Sequence, residues 1–484
     1  MVTDEATLTA GREGSTAQTV ATVDLTDPRK PASANGRDRP FRWFTPSLAL
    51  LLFGYMFFSR TFAYIHIPGT PVFIGEIVMV IGIIEAARVR PRMLEIVGRS
   101  PILRALLAFM ALCTVRLVVD LPRYGIDAIR DSATWYYGVF AFLVAAAVVY
   151  DPTFTTRMLR WYRRAIPWFF IWTPFAIVLS ELDSLSGILI PDTATPINSF
   201  RPSDYAVHVA MAIAYPWLGI NRLTHDHGRP QSELALGVVA IIALLMAGSQ
   251  NRGGLAAAML MMAIVMFYLP TGRRRGIILP VLSSLLVVLG VILLLDLRIP
   301  GERRDVSVQQ VAQNLSSLGG GGDEDLSGTV EWRTKLWTQV VDDLTSSTAW
   351  ATGLGFGPIL PKRYEVALDP NNPNPLRSVH NSHLTVMARV GYGGFALWVL
   401  LWTTWTAHLV RFVRHRPDRL RDPSAAMSAW LLGATAAALV NAFFDPALEG
   451  PHAAVWLYAL VGLGAAHTIY RPKRPQLAAR WRST

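Results

Sequence analysis

Apolar residues in this chain gather into long runs broken by short polar turns. Twelve runs stand out, at approximately 45–62, 71–88, 101–119, 134–150, 165–181, 204–220, 233–250, 253–269, 276–296, 383–410, 425–444 and 452–470. Crossing a bilayer as a helix takes about 17–25 predominantly apolar residues, and the runs have that length. The pattern predicts an all-α polytopic membrane protein of about 12 transmembrane helices. Its divisions follow from the runs. Residues 1–42 form a polar tail and 43–296 carry helices 1–9. Residues 297–382 form one large loop, 383–470 carry helices 10–12, and 471–484 form a basic tail. The first tail has no apolar core of the signal-peptide kind and is expected to be disordered.

The large loop changes character along its length. Gln309 to Gly328 includes Gly319, Gly320, Gly321 and Gly322 and reads as mobile. From Thr329 to Leu344, the positions Val330, Leu336, Trp337, Val340, Val341 and Leu344 recur at helical spacing. Gly353 to Pro358 is a turn-forming stretch, and Asp369 to Pro375 holds too many prolines for regular helix. A loop ordered in one part and flexible in another suits a lid over a site at the membrane face.

Composition sharpens this picture. Of 484 residues, 52% are hydrophobic and only 16% charged, with mean hydropathy +0.34. That excludes an ordinary soluble protein of this length. The formal net charge is +11, and most of the basic residues fall in alternate connections. They include Arg88, Arg90 and Arg92; Arg157, Arg160, Arg163 and Arg164; Arg273 to Arg275; and Arg411, Arg414 and Arg416. Positive charge marks the cytoplasmic side. Both termini are therefore expected in the cytoplasm and the large loop outside. Topology accounts for the charge, so no nucleic-acid partner is needed. Cys113 is the only cysteine and lies in an apolar run, which excludes a disulfide framework and a cysteine metal site.

Candidate chemistry gathers at the outer ends of the runs. His380-Asn381 stands where the large loop meets the tenth run, where an imidazole can take a proton near neutral pH. Arg252, in Ser249-Gln250-Asn251-Arg252-Gly253-Gly254, lies at an outward hairpin, against the inner-face trend for arginine. It suits either an anionic ligand, with the glycines letting another group approach, or a lipid headgroup. Arg333, between Trp332 and Trp337, is expected near headgroup height on a helix along the interface. His383 stands one helical turn from His380, in reach to share a metal or to support His380. No third ligand accompanies the pair, so no metal is expected there. Asp323-Glu324-Asp325 matches a metal-binding DxD pattern but has no strand before it. Glu76 and Glu85 interrupt the second run, as relay groups or partners of an arginine. Arg130, Arg201 and Asp204 stand at outer ends and are further candidates for the same cavity.

These features resemble the O-antigen ligase and polymerase superfamily of bacterial membrane glycosyltransferases. The ligase branch carries a His, then Asn, Ser or Gln, nine residues, a Gly, two residues, and Gly, Thr or Tyr. Here those positions are His380, Asn381, Gly391 and Gly394. The family's arginine at an outward hairpin corresponds to Arg252, although a simple Ser-Arg pair is replaced by Ser249-Gln250-Asn251-Arg252. Its second arginine, before a Leu-Trp, corresponds to Arg333 ahead of Leu336-Trp337. The resemblance covers roughly 233–445. It implies a GT-C-like helical transferase in the cytoplasmic (inner) membrane, needing no cofactor or metal. The donor would be a glycan on undecaprenyl pyrophosphate, and the acceptor a glycan, lipid or protein. Within it, Arg252 and Arg333 would bind pyrophosphate, His380 would act as general base, and Asn381 would orient the histidine or acceptor. Two rivals stay open: polymerisation of lipid-linked repeats, and a glycolipid transporter, whose sites normally lie near the midplane in repeated halves.

Overall fold

The computed structural model describes residues 40–88, 90–151, 153–220, 231–269, 271–294, 307–318, 324–364, 377–414 and 423–469. Among them the chain is helical, with no strand beyond two isolated bridges. The first half contains α1 (Phe44–Ala63), α2 (Ile74–Ala87), α3 (Arg90–Arg99), α4 (Pro101–Tyr124), α5 (Ile126–Asp131), α6 (Ala133–Tyr136), α7 (Val139–Tyr150), α8 (Phe154–Ser180), α9 (Asp183–Ser186) and α10 (Pro202–Trp217). The second contains α11 (Gln231–Gln250), α12 (Arg252–Tyr268), α13 (Thr271–Leu294), α14 (Val308–Leu318), α15 (Glu324–Ser346), α16 (Ala349–Thr352), α17 (Leu360–Arg363), α18 (Ser382–Arg414), α19 (Pro423–Phe444) and α20 (Pro451–Ile469).

Among the described residues, helix covers most of each of the twelve apolar runs. Six segments among the described residues are long and apolar enough to cross a membrane: Phe44–Ala63, Pro101–Tyr124, Ala133–Tyr150, Ser382–Arg414, Ser424–Phe444 and Pro451–Ile469. Leu236–Gln250 and Arg252–Tyr268 are shorter apolar helices. The helices α2 and α10 are also short, with 14 and 16 residues.

In the bundle α12 packs against α10 and α19, α20 against α7, and α18 against α4. Small residues allow these approaches, as expected where packing and hydrogen bonds hold helices together. A Cβ on Gly254 would lie 2.7 Å from Ser203 Cα, and one on Gly253 would lie 2.5 Å from Phe444 Cβ. The glycines after Arg252 therefore let neighbouring helices in; they do not open space for a ligand.

The two carboxylates of the second run have structural partners. Glu85 accepts the backbone N–H groups of Trp43 and Phe44 at 3.1 and 2.9 Å, so it caps α1 from a neighbouring helix. Glu76 accepts the Phe73 N–H at 3.0 Å and the hydroxyls of Tyr136 and Tyr137 at 2.7 and 2.5 Å.

Among its described residues, the stretch expected to form the large loop has more regular structure than its sequence predicts. The stretch read as mobile begins with a helix, α14, because Asn314 has a specific task there. Its amide donates to the carbonyls of Gly248 and Ser249 at 2.9 and 2.7 Å, closing the end of α11. The glycine run, with Asp323 of the DxD pattern, and the Asp369–Pro375 stretch lie outside the described residues. The predicted loop helix is present and longer than expected. Leu336, Val340 and Leu344 of α15 bury against Leu360, Val379 and Met387.

A break in α18 anchors the rest of the loop. Gly391 has φ 70, in the left-handed region that glycine tolerates. A Cβ there would lie 2.7 Å from the Trp350 carbonyl oxygen. The carbonyls of Ala388 and Arg389 then accept the N–H groups of Leu354 and Gly355 at 2.6 and 3.1 Å. The glycine of the histidine motif thus docks the glycine-rich stretch onto the helix below His380.

Candidate functional site

Four helix ends converge where the large loop meets the bundle: the N-termini of α10, α12 and α18 and the C-terminus of α19. The Ser382 hydroxyl lies 3.5 Å from the Asp445 carbonyl oxygen, just past α19. Arg201, immediately before α10, pairs with the Asp445 carboxylate at 2.6 Å. Arg333 reaches in from α15 and donates to the Phe444 carbonyl at 3.1 Å. Helix N-termini carry partial positive charge and exposed N–H groups, so three meeting at one place favour an anion.

His380 sits at this junction with φ 55, an uncommon backbone for a side chain of its size. Its N–H lies 3.5 Å from Ser378 Oγ. The Trp332 ring stands edge-on to it at 5.5 Å. Both imidazole nitrogens are buried without a hydrogen-bond partner among the described residues. Burial pulls the imidazole down from 6.5 to about 4; Asp445 opposes this, and the charges of Arg333 and Arg201 add to it. At neutral pH the ring is therefore uncharged and able to accept a proton.

The other predicted residues fall into distinct places. Arg252 is the first residue of α12, behind an Asn251 cap whose Oδ1 accepts from Gly254 at 2.9 Å. It lies close enough to Arg333 to lower that group, after burial and against the pull of Asp445. The two arginines, Arg201 and His380 thus share one electrostatic neighbourhood. Asn381 is a helix cap. Its Oδ1 accepts from His383 and Leu384 at 3.0 and 3.1 Å, and this fixes the start of α18 next to the histidine. His383 is held at both ends: its Nδ1 accepts from Trp398 at 3.0 Å and its Nε2 reaches the Leu439 carbonyl at 2.9 Å. It has no nitrogen left for a metal shared with His380.

Asp204 lies in the first turn of α10, accepting from Ser59 and Asn441 at 3.2 and 3.1 Å, with His452 Nε2 at 3.3 Å. It stands behind Arg201 in the bundle. Arg130 is exposed on α5, and its charge acts on Tyr64. Glu76 belongs to the tyrosine cluster described above. Neither Arg130 nor Glu76 is among the charges that act directly on His380.

Sequence reading missed Asp445, the contact of Trp332 with His380, and a buried ion cluster below the histidine. A carboxylate directly after the apolar run of α19 was the available signal for Asp445. In the cluster, Asp131 binds Arg377 at 2.8 Å and Arg389 at 2.9 Å, residues on either side of His380 in the chain. Arg389 also donates to the carbonyls of Gly355 and Pro358 at 3.0 and 2.7 Å. Glu449, in the turn between α19 and α20, adjoins it. Burial pushes this carboxyl up to about 7, against the hydroxyls of Ser378 and Thr385 and the charge of Arg389.

No curated protein matches the chain. Residues 237–399 match the family model described as O-antigen ligase. The matched stretch contains Arg252, Arg333, His380 and the glycine break of α18, and over it the chain is similar to the O-antigen ligase superfamily.

Proposed function

We propose that the protein is an O-antigen ligase-like glycosyltransferase. It moves a glycan from undecaprenyl pyrophosphate to an acceptor hydroxyl at the outer face of the inner membrane. The observation that carries this reading is His380: an uncharged imidazole with both nitrogens buried and unpartnered, beside arginines and converging helix N-termini. In this reading all twelve helical runs cross the membrane, both termini are cytoplasmic, and the architecture is GT-C-like.

The residues suggest the steps. Arg333 and Arg252 bind the donor pyrophosphate, with Arg201 held nearby by Asp445. A nitrogen of His380 takes the proton from the acceptor hydroxyl as that oxygen bonds to the anomeric carbon. The carbon–oxygen bond to pyrophosphate breaks, the leaving group keeps the electron pair, and the arginines offset its charge. One displacement predicts inversion at the sugar. The arginines supply positive charge that a divalent ion provides elsewhere, so the reaction is expected to need no metal. A bound pyrophosphate also offsets the arginine charges that hold His380 down, making it a better base when donor is present.

The decisive measurement is donor binding and single-turnover transfer, in excess EDTA, by membrane-inserted variants. His380→Ala is expected to keep donor binding and lose transfer by about 10²–10⁴-fold. Arg333→Ala is expected to weaken donor binding. Transfer by His380→Ala at the wild-type rate removes the histidine from the role of base. Polymerisation uses the same chemistry with a lipid-linked repeat as acceptor. Cells without the protein would then accumulate single lipid-linked repeats, whereas loss of a ligase leaves full-length lipid-linked polymer.

A further inference from the structure

Two hairpins on the site's side of the bundle repeat one design. The first runs through Ile65-His66-Ile67-Pro68-Gly69-Thr70-Pro71-Val72-Phe73-Ile74 and the second through Ile188-Leu189-Ile190-Pro191-Asp192-Thr193-Ala194-Thr195-Pro196-Ile197. The bridge His66–Phe73 corresponds to Leu189–Pro196. Ile67 N–H donates to the Val72 carbonyl and Ile190 N–H to Thr195, each at 2.9 Å; Ile74 donates to Ile65 and Ile197 to Ile188, again at 2.9 Å. Both turn at Ile-Pro-Gly-Thr or Ile-Pro-Asp-Thr, with Gly69 at φ 72 and Asp192 at φ 57. The hairpins touch: Asp192 Oδ2 lies 3.4 Å from the Gly69 N and 3.9 Å from His66 Nε2.

Each hairpin leads directly toward a helix that is short for a span. At 1.5 Å per residue, α2 and α10 are about 21 and 24 Å long, against a hydrocarbon core of about 30 Å. The hairpins carry apolar side chains where that height is missing. Ile65, Ile67, Val72, Ile188 and Leu189 are 36–50% exposed. On the first hairpin they continue the exposed apolar column of α2, formed by Ile77, Val80 and Ile84. The backbone is also prepared for a dry setting. Pro68, Pro71, Pro191 and Pro196 have no N–H. Thr70 Oγ1 and Thr193 Oγ1 accept the N–H groups of Val72 and Thr195 at 3.4 and 3.2 Å, beside the cross-hairpin bonds. Backbone at membrane depth must satisfy its polar groups internally, a constraint that water-exposed loops escape.

We propose that the paired hairpins lie in the membrane, in the leaflet at the site's end, where they complete the short spans and bear on lipid. Asp192 limits the depth to the headgroup and glycerol region, because an acidic side chain is costly to carry into the hydrocarbon. The second hairpin runs on to Arg201, so this ledge holds the arginine end of the site at headgroup height. The inference concerns lipid contact alone and stands apart from the reaction.

Nitroxide labels provide the test. In a Cys113→Ala background in vesicles, Ile67→Cys and Leu189→Cys are labelled, with Thr338→Cys on α15 as the aqueous reference. At both hairpin sites, accessibility to oxygen is expected to rise and accessibility to a water-soluble nickel complex to fall, relative to Thr338. Ile65→Cys and Ile188→Cys serve as a second pair if the first fails to fold. Labels that meet the nickel complex as freely as Thr338 does place the hairpins in water and overturn the proposal. That outcome leaves the catalytic reading untouched.

Discussion

Single residues near the site carry opposite pH signatures. His380 has its folded value lowered to about 4 from 6.5. Its contribution to stability is complete above 6.5 and lost as pH falls through 4. Glu449 is the reverse, raised to about 7 from 4.5, so its contribution is complete below 4.5 and lost as pH rises through 7. Glu449→Gln keeps the shape of the protonated carboxyl and removes the charge that folding disfavours. The expected result is a melting temperature that gains on wild type progressively from pH 4.5 to pH 7 and changes little below it. A variant with the wild-type slope across that range means the carboxyl titrates normally. His380, Arg252 and Arg333 stood out as candidates in sequence: the first at the lip of an apolar run, the second against the inner-face trend for arginine, the third between tryptophans. Asp445 and Glu449 did not, since an acidic residue in a short turn is unremarkable until the fold surrounds it with arginines or apolar atoms.

At the scale of elements, the glycine of the histidine motif matters for architecture. Gly391→Ala places a side chain at φ 70, ψ −173, a region essentially reserved for glycine, at a cost of roughly 1–3 kcal/mol, and drives its Cβ into the Trp350 carbonyl. The expected outcome is a lower melting temperature and faster proteolysis within 353–358, while α18 itself stays inserted. Unchanged protease resistance means that the Leu354 and Gly355 hydrogen bonds hold the stretch without the break. Element existence was readable from periodicity: α15 appears where Leu336, Val340 and Leu344 recur. Its start was placed too late, and α14 was missed, because Asn314 forms its stabilising bonds with α11, far away in the chain. The hairpin at 65–74 was partly absorbed into the second run, since Pro71, Val72 and Phe73 are apolar enough to read as membrane helix.

For the whole molecule, the arginine distribution makes a prediction about sidedness. The hairpins, Arg201, Arg333 and His380 are tied to one end of the bundle by direct contacts. Gly272 opens α13, in a basic connection assigned to the opposite side. In a Cys113→Ala background, Thr338→Cys is expected to react with an impermeant thiol reagent from outside the cell, and Gly272→Cys only after permeabilisation. The reverse pattern puts the site in the cytoplasm and removes the proposed acceptor chemistry.

What the sequence determined by itself was set by local and additive properties. Run length against bilayer thickness specifies helices, and the spaced His-Asn-Gly-Gly motif singles out the start of α18 and its break. Tertiary structure decided what those residues do. Asn381 became a cap because its side chain meets the first N–H groups of α18, and His383 became a strut because Trp398 and Leu439 occupy both of its nitrogens. His380 was left with both nitrogens buried and unpartnered among the described residues, beside arginines that arrive from distant parts of the chain. Burial and long-range partners set the state of a titratable group, and neither is a property of its neighbours in sequence.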